Sequence, residues 1–292
     1  MVFQFVAGLT RARHAATHAA ALLALATVAL PFVAVPSFAG DATWPAVVAA
    51  KYKLSFGGFE VGSYKFQSKS DGKGYTATAN AEVSAMFGAF TWKGSIESNG
   101  TLGASAPHPA AYKLSYKSKS KVTSITLGFD AAGVNSVAVL PKKPPNPEAI
   151  PVKPEDLKNV FDPMSSILAM THATGGNPCS RTIPIFDGKA RFNLVMSPKG
   201  EQKLKEDKPS GQPVQLKVCQ VKYVPVSGHK PKDFVKPWVD YNGIEIALRP
   251  VPAANVFVPY RISIPTSIGM AVMSAESVNI TASNNTQIAL TQ

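Results

Sequence analysis

The sequence predicts a mainly β protein in which an antiparallel sheet wraps one short amphipathic helix. Three observations predict it. Apolar and polar residues alternate with period two through most of the chain, and tight-turn dipeptides punctuate the alternation. One stretch, opening at Asp162-Pro163, changes to helical spacing. Two cysteines stand behind a leader of the export type, which suits a disulfide.

The leader comes first. Arg11 and Arg13 make its start positive, and no acid occurs before Asp41. Ala19 to Val35 is almost wholly apolar, and Pro36-Ser37-Phe38-Ala39 places small residues three before and one before a cut after Ala39. That order is a secretory signal peptide over residues 1–39. The apolar run falls short of the ~20 residues of a membrane helix and contains Pro31. Gly40, not a cysteine, follows the cut, so no lipid anchor is expected; Arg11-Ala12-Arg13 is not a twin-arginine pair. The expected address is the periplasm, entered as an unfolded chain with no cofactor loaded beforehand. In that oxidising compartment Cys179 and Cys219 are expected to pair. The loop they close, of about 40 residues, is worth about 4 kcal/mol in the chain-entropy treatment. A redox or metal role lacks both a Cys-x-x-Cys and a nearby histidine cluster, so no metal is expected.

The strands follow in order. Tyr52, Leu54 and Phe56 alternate with Lys51, Lys53 and Ser55 until Gly57-Gly58 breaks the run. Tyr64 and Phe66 alternate with Lys65 and Gln67, Asp71 to Gly74 is a turn, and Tyr75 to Val83 extends again. Phe90 and Trp92 lead towards a turn signal at Asn99-Gly100. Tyr112, Leu114 and Tyr116 alternate with lysine and serine, and Val122 to Phe129 and Val134 to Leu140 flank a further turn. This reads as a meander of half-buried antiparallel strands. Pro141 to Pro154 then interrupts the sheet with an extended, donor-poor connector, residues 141–154.

The helix begins with Asp162 as N-cap and Pro163 in the first helical position. Met164, Ile167 and Leu168 share a face, and Gly175-Gly176 lies past the end. A turn of helix is expected just before it, between Glu155 and Val160. Strands resume with a hairpin over Ile183 to Met196 around Asp187-Gly188. Val214, Leu216 and Val218 alternate, and a shift to Val221 and Tyr223 predicts a bulge beside Cys219. Asn242-Gly243 is a turn signal before Ile244 to Leu248; Val258 to Ile264 and Val272 to Ile280 complete the strands. The polar tail, residues 283–292, is expected to be loose, leaving one domain over 40–282.

Composition narrows the partners. The formal net charge is +12, with lysine well ahead of arginine. An exported chain without a recognition helix or RNA-binding motif is a poor partner for nucleic acid. Anionic lipid headgroups suit the charge better, although most lysines alternate with apolar residues and simply solvate the sheet's outer face. No segment after the leader is apolar enough to span a bilayer as a helix.

No catalytic constellation emerges. His14 and His18 lie in the leader, and His108, His172 and His229 are widely separated, with no His-Glu-x-x-His. There is no Gly-x-Ser-x-Gly elbow. Ser118-x-x-Lys121 and Ser227-x-x-Lys230 fall on a strand and in a loop, where positions i and i+3 point apart. Asp162 and Asp187 are explained by capping and turn formation before any acid chemistry.

Four segments carry a resemblance. They are Asp162-Pro163-Met164-Ser165-Ser166, Ile185-Phe186-Asp187-Gly188-Lys189, Lys222-Tyr223-Val224-Pro225-Val226-Ser227-Gly228-His229, and Val258-Pro259-Tyr260-Arg261-Ile262. With the early strand pair from Tyr52 to Gly62, their order and spacing resemble the bacterial family catalogued as domain of unknown function 3108, over roughly residues 47 to 280. Met164 stands where leucine is expected and Lys189 where arginine is usual; neither swap threatens the fold. The resemblance implies an exported β protein without assigned activity, shaped as a half-barrel like the periplasmic lipoprotein carriers, with a curved sheet wrapping a helix around an apolar hollow.

The leading functional expectation is therefore a monomeric binding protein whose hollow takes a lipid, an acyl chain or another hydrophobic ligand. The sequence offers Phe56, Phe66, Phe90 and Trp92 to line it, with Met86, Met164 and Ile167. The alternative is an envelope-integrity or assembly factor acting through protein contact, using the Pro-rich arm and the basic strand from Tyr116 to Lys121. A hydrolase is the least favoured reading.

Overall fold

Period-two alternation becomes strand wherever the apolar parity holds, and the described residues of the computed structural model form fourteen strands in a single antiparallel sheet. It describes residues 43–85, 88, 90–142, 144, 146–206, 209–231, 243–266 and 268–291. The expected signal peptide, Met86 and Asn242 lie outside them.

The first run comprises β1 (Val47–Phe56), β2 (Phe59–Ser70), β3 (Gly74–Ala85), β4 (Phe90–Leu102), β5 (Pro107–Ser118), β6 (Lys121–Asp130) and β7 (Gly133–Leu140). The second comprises β8 (Thr182–Phe186), β9 (Arg191–Lys203), β10 (Gln215–Ser227), β11 (Ile244–Val251), β12 (Val256–Thr266), β13 (Gly269–Thr281) and β14 (Gln287–Thr291). Each run is a meander. They join where β1 pairs with β13, so β7 and β8 are the two ends of the sheet. Between the runs lies one helix, α1 (Pro163–Thr171).

β7 and β8 do not pair with each other. The segment ahead of α1 touches both instead: Lys158 bridges Gly133 at the start of β7, and Phe161 bridges Ile185 of β8. The β8–β9 turn packs onto β6, where a Cβ at Gly188 would come within 2.3 Å of Ile125. The sheet is thus curved around α1 but left open along the ladder, the half-barrel that the resemblance implies.

Several expectations hold in detail. Gly57 and Gly58, both at positive φ, turn β1 into β2. The Asp187 carboxylate accepts from the backbone of Lys189 and Ala190 at 2.8 and 2.7 Å and sets the β8–β9 hairpin. The β9–β10 register shifts between Val218 and Cys219, the bulge that the broken alternation predicts. Cys179 and Cys219 are joined, with Cα atoms 5.1 Å apart.

Others are corrected. The tail is not loose: Gln287–Thr291 forms β14 on β13, because Ile288 and Leu290 point into the core while Gln287 and Thr291 face out. Asn99-Gly100 is no turn; β4 runs on to Leu102 with a register shift there. Gly100 is needed for approach, since a Cβ would meet the His108 carbonyl at 2.1 Å. The helical turn before α1 is a 3-10 turn over Pro154–Leu157. The Pro-rich connector makes no strand among the described residues, yet it is tied down: Ile150 exchanges backbone hydrogen bonds with Gly228 and His229 at 2.7 and 2.9 Å. The helix is less amphipathic than its spacing predicts. Ser165 and Ser166 are buried with Met164 and Leu168, their hydroxyls satisfied by Asp162 and by the Pro163 carbonyl.

The buried side chains form two clusters. One surrounds α1 and includes Tyr52, Phe66, Tyr75, Leu127, Met164 and Val278. The other lies around the disulfide, with Met170, Ile185, Met196, Val221, Leu248 and Phe257.

Candidate functional site

α1 is held from its first residue. Asp162 is fully buried, and its carboxylate accepts from the backbone of Met164 and Ser165 at 2.8 and 3.0 Å. Ser165 and Ser98 donate their hydroxyls to its other oxygen at 2.6 and 3.0 Å, and Ser98 reaches on to Tyr75 at 3.4 Å. The N-cap is therefore also the bolt between helix and sheet. Burial raises the Asp162 pKa and these hydrogen bonds oppose the rise. At the other end Arg181 donates to the carbonyls of Ala169 and Met170 at 2.9 and 3.2 Å, a cation on the negative end of the helix.

Between the side of α1 and the sheet lies an apolar hollow of about 80 Å³. Ile167, Leu168 and Thr171 form its helix wall. Ala50, Tyr52, Tyr64 and Phe66, from β1 and β2, form a second. Val256, Val258, Ile262 and Met273, from β12 and β13, form a third. Trp44, Leu102 and the end of β2 from Ser68 to Ser70 also border it; within that stretch the Lys69 side chain is exposed, with the outward parity of Lys65 and Gln67. Apolar walls disfavour ordered water, so such a space stays dry or takes up apolar matter.

The segment before β1 crosses one side of the hollow. Trp44 donates its indole N–H to the Gly103 carbonyl at 2.9 Å and stacks on His172, with ring centroids 3.8 Å apart and planes 9° from parallel. His172 is buried, with Nε2 3.3 Å from the Ala104 carbonyl. A carbonyl can only accept, so Nε2 carries the proton. Nδ1 is then a bare acceptor that meets no hydrogen-bond partner among the described residues. Protonation would bury an unpaired N–H, and burial lowers the His172 pKa accordingly. Tyrosines line the opposite wall. Tyr64 donates to the Met164 sulfur at 3.7 Å, and burial pushes the Tyr52 and Tyr64 phenols well above their ordinary range.

The sequence-predicted lining divides. Phe66 and Ile167 border the hollow. Met164 is buried beneath Tyr64, in the core and not on the hollow. Phe56 keeps the parity of Tyr52 but closes β1 at the Gly57-Gly58 hairpin, whereas the hollow is bordered by the other part of the strand, Val48 to Tyr52. Trp92 keeps the inward parity but sits at the far end of β4, past the helix, stacked on Tyr116 at 5.7 Å. Phe90, at the hairpin end, is 44% exposed. Met86 lies outside the described residues. Trp44, Tyr52, Tyr64 and Met273 were missed. The alternation of Tyr52 and Tyr64 with lysines carried a signal for the tyrosines; nothing local marked Trp44. Among the described residues no three His, Cys, Asp or Glu side chains gather as a metal site.

Fold and site together define a half-open antiparallel β-barrel around a capped helix, with an apolar hollow between them. The chain belongs to the family described as Protein of unknown function (DUF3108), whose model matches residues 51–276. No curated protein matches it. It is similar in structure to a β-barrel-like protein of domain of unknown function DUF1849 from Brucella abortus, over 81% of this chain and 98% of that one. The identity is 9% and the TM-score 0.43, too low for that likeness to carry an argument.

Proposed function

We propose that this chain is an exported, periplasmic binding protein, not an enzyme, and that the hollow beside α1 takes the apolar end of a lipid or another hydrophobic ligand. The observation that supports this most is the lining itself: three apolar walls, from α1, from β1 with β2, and from β12 with β13. Dedicated ligand pockets usually measure roughly 300 to 1,000 Å³. At about 80 Å³ the hollow accepts only a few carbons at rest. A longer chain must push a wall aside, and the movable one is Trp44, held by a stack and one hydrogen bond.

Native mass spectrometry of protein isolated gently from the periplasm tests the reading. It should carry adducts of lipid mass and take up a fluorescent fatty acid with a change in tryptophan emission. A clean apo mass with no uptake would remove it, and protein absent from the periplasmic fraction would remove the address.

A further inference from the structure

The large apolar side chains that remain exposed concentrate at one end of the sheet. Phe59 is 78% exposed in the β1–β2 hairpin, and Ile268 and Met270 are 75% and 40% exposed in the β12–β13 hairpin beside it. The two hairpins touch, since Gly57 donates its backbone N–H to the Met270 carbonyl at 3.0 Å. Register places further tips at the same end. Phe90 opens β4 opposite Ala85 and is 44% exposed; Val122 stands opposite Lys117 near the β5–β6 turn and is 61% exposed.

Among the described residues, the charges around these tips that form no ion pair are lysines. Lys117, Lys119 and Lys121 surround the β5–β6 turn, are exposed, and take part in none of the ion pairs found among the described residues. The nearby acids are already occupied: Glu60 by Lys53 at 3.3 Å and Glu82 by Lys93 at 3.2 Å. The tips come from four separate hairpins. A protein partner would need a matching pocket for each, whereas a fluid hydrocarbon layer receives them all. We propose that this hairpin end is a docking edge for a bilayer that carries anionic phospholipid, its apolar tips entering the acyl boundary and its lysines lying among the headgroups. The proposal stands independently of the hollow.

Co-sedimentation of protein purified from cells expressing the full chain tests it. The vesicles are phosphatidylethanolamine mixed with phosphatidylglycerol, or phosphatidylcholine alone. The protein should pellet with the first and stay in solution with the second, and salt should release it. Lys117→Gln with Lys119→Gln and Lys121→Gln should lower partitioning roughly a hundredfold, about fivefold for each lysine. Phe59→Ser with Ile268→Ser should lower it at least about tenfold. Both sets change exposed residues, so the thermal melt should not move. Equal binding to both vesicle types, binding that survives both sets, or no binding at all would overturn the proposal. Pelleting without vesicles would do so too, by pointing to a second copy of the chain as the occupant.

Discussion

The two buried clusters use different means to stay ordered. Around Cys179–Cys219 the core is small and cross-linked, with Leu248, Val221 and Ile185 filling it. Around α1 the core is aromatic, encloses a hollow, and depends on polar fastenings: the Asp162 bolt, the Arg181 cap and the Trp44–His172 stack. A covalent bond makes the first region indifferent to small movements. Hydrogen bonds and a stack let the second yield without unfolding. A binding site is expected in the region that yields.

The largest blow to this contrast falls on the covalent side. Cys179→Ala with Cys219→Ala should cost about 4 kcal/mol, read as a lowered denaturation midpoint, with fatty-acid uptake kept in the cold. Uptake lost while the fold persists would show that the hollow depends on the disulfide after all. Next comes Asp162→Ala, which strips partners from Ser98, Ser165 and two backbone N–H groups. It should cost about 2 to 3 kcal/mol in urea and weaken uptake more than the cysteine pair does at matched stability. The smallest effect is on pH. His172 has its pKa lowered by burial, so the stability it supports is full above the ordinary imidazole value of about 6.5 and declines as pH falls towards the lower folded value. Thermal melts through that range should show acid destabilisation in the parent that is reduced in His172→Phe. Parallel pH curves would assign the decline to other groups.

Much of the fold was legible because its causes are local. Turn glycines, the Asp162-Pro163 cap and the alternating strands each declare themselves within a few residues. The half-barrel itself came with the family resemblance. What the sequence hid depends on register and distance. Phe56 shares the parity of Tyr52, and no local pattern announces that the hollow lies at the other end of β1. β14 was read as a loose tail because its two apolar residues, Ile288 and Leu290, are too few to stand out. Arg249 reads as an outward polar residue, yet it is 1% exposed on β11, paired with Glu206 and donating to Ser210 at 2.8 Å. Its partner lies 43 residues away in a loop. The hollow is hardest of all to foresee, since it is defined by walls from three separate parts of the chain.

Ala50→Leu tests the central claim most directly. It adds three carbons to the wall of a hollow of about 80 Å³, at a position already buried on β1. Filling apolar space should leave the thermal midpoint unchanged or raised. Titration with a fluorescent fatty acid should then show affinity at least about tenfold weaker than in the parent. A variant that folds as well as the parent and binds as tightly would contradict the account.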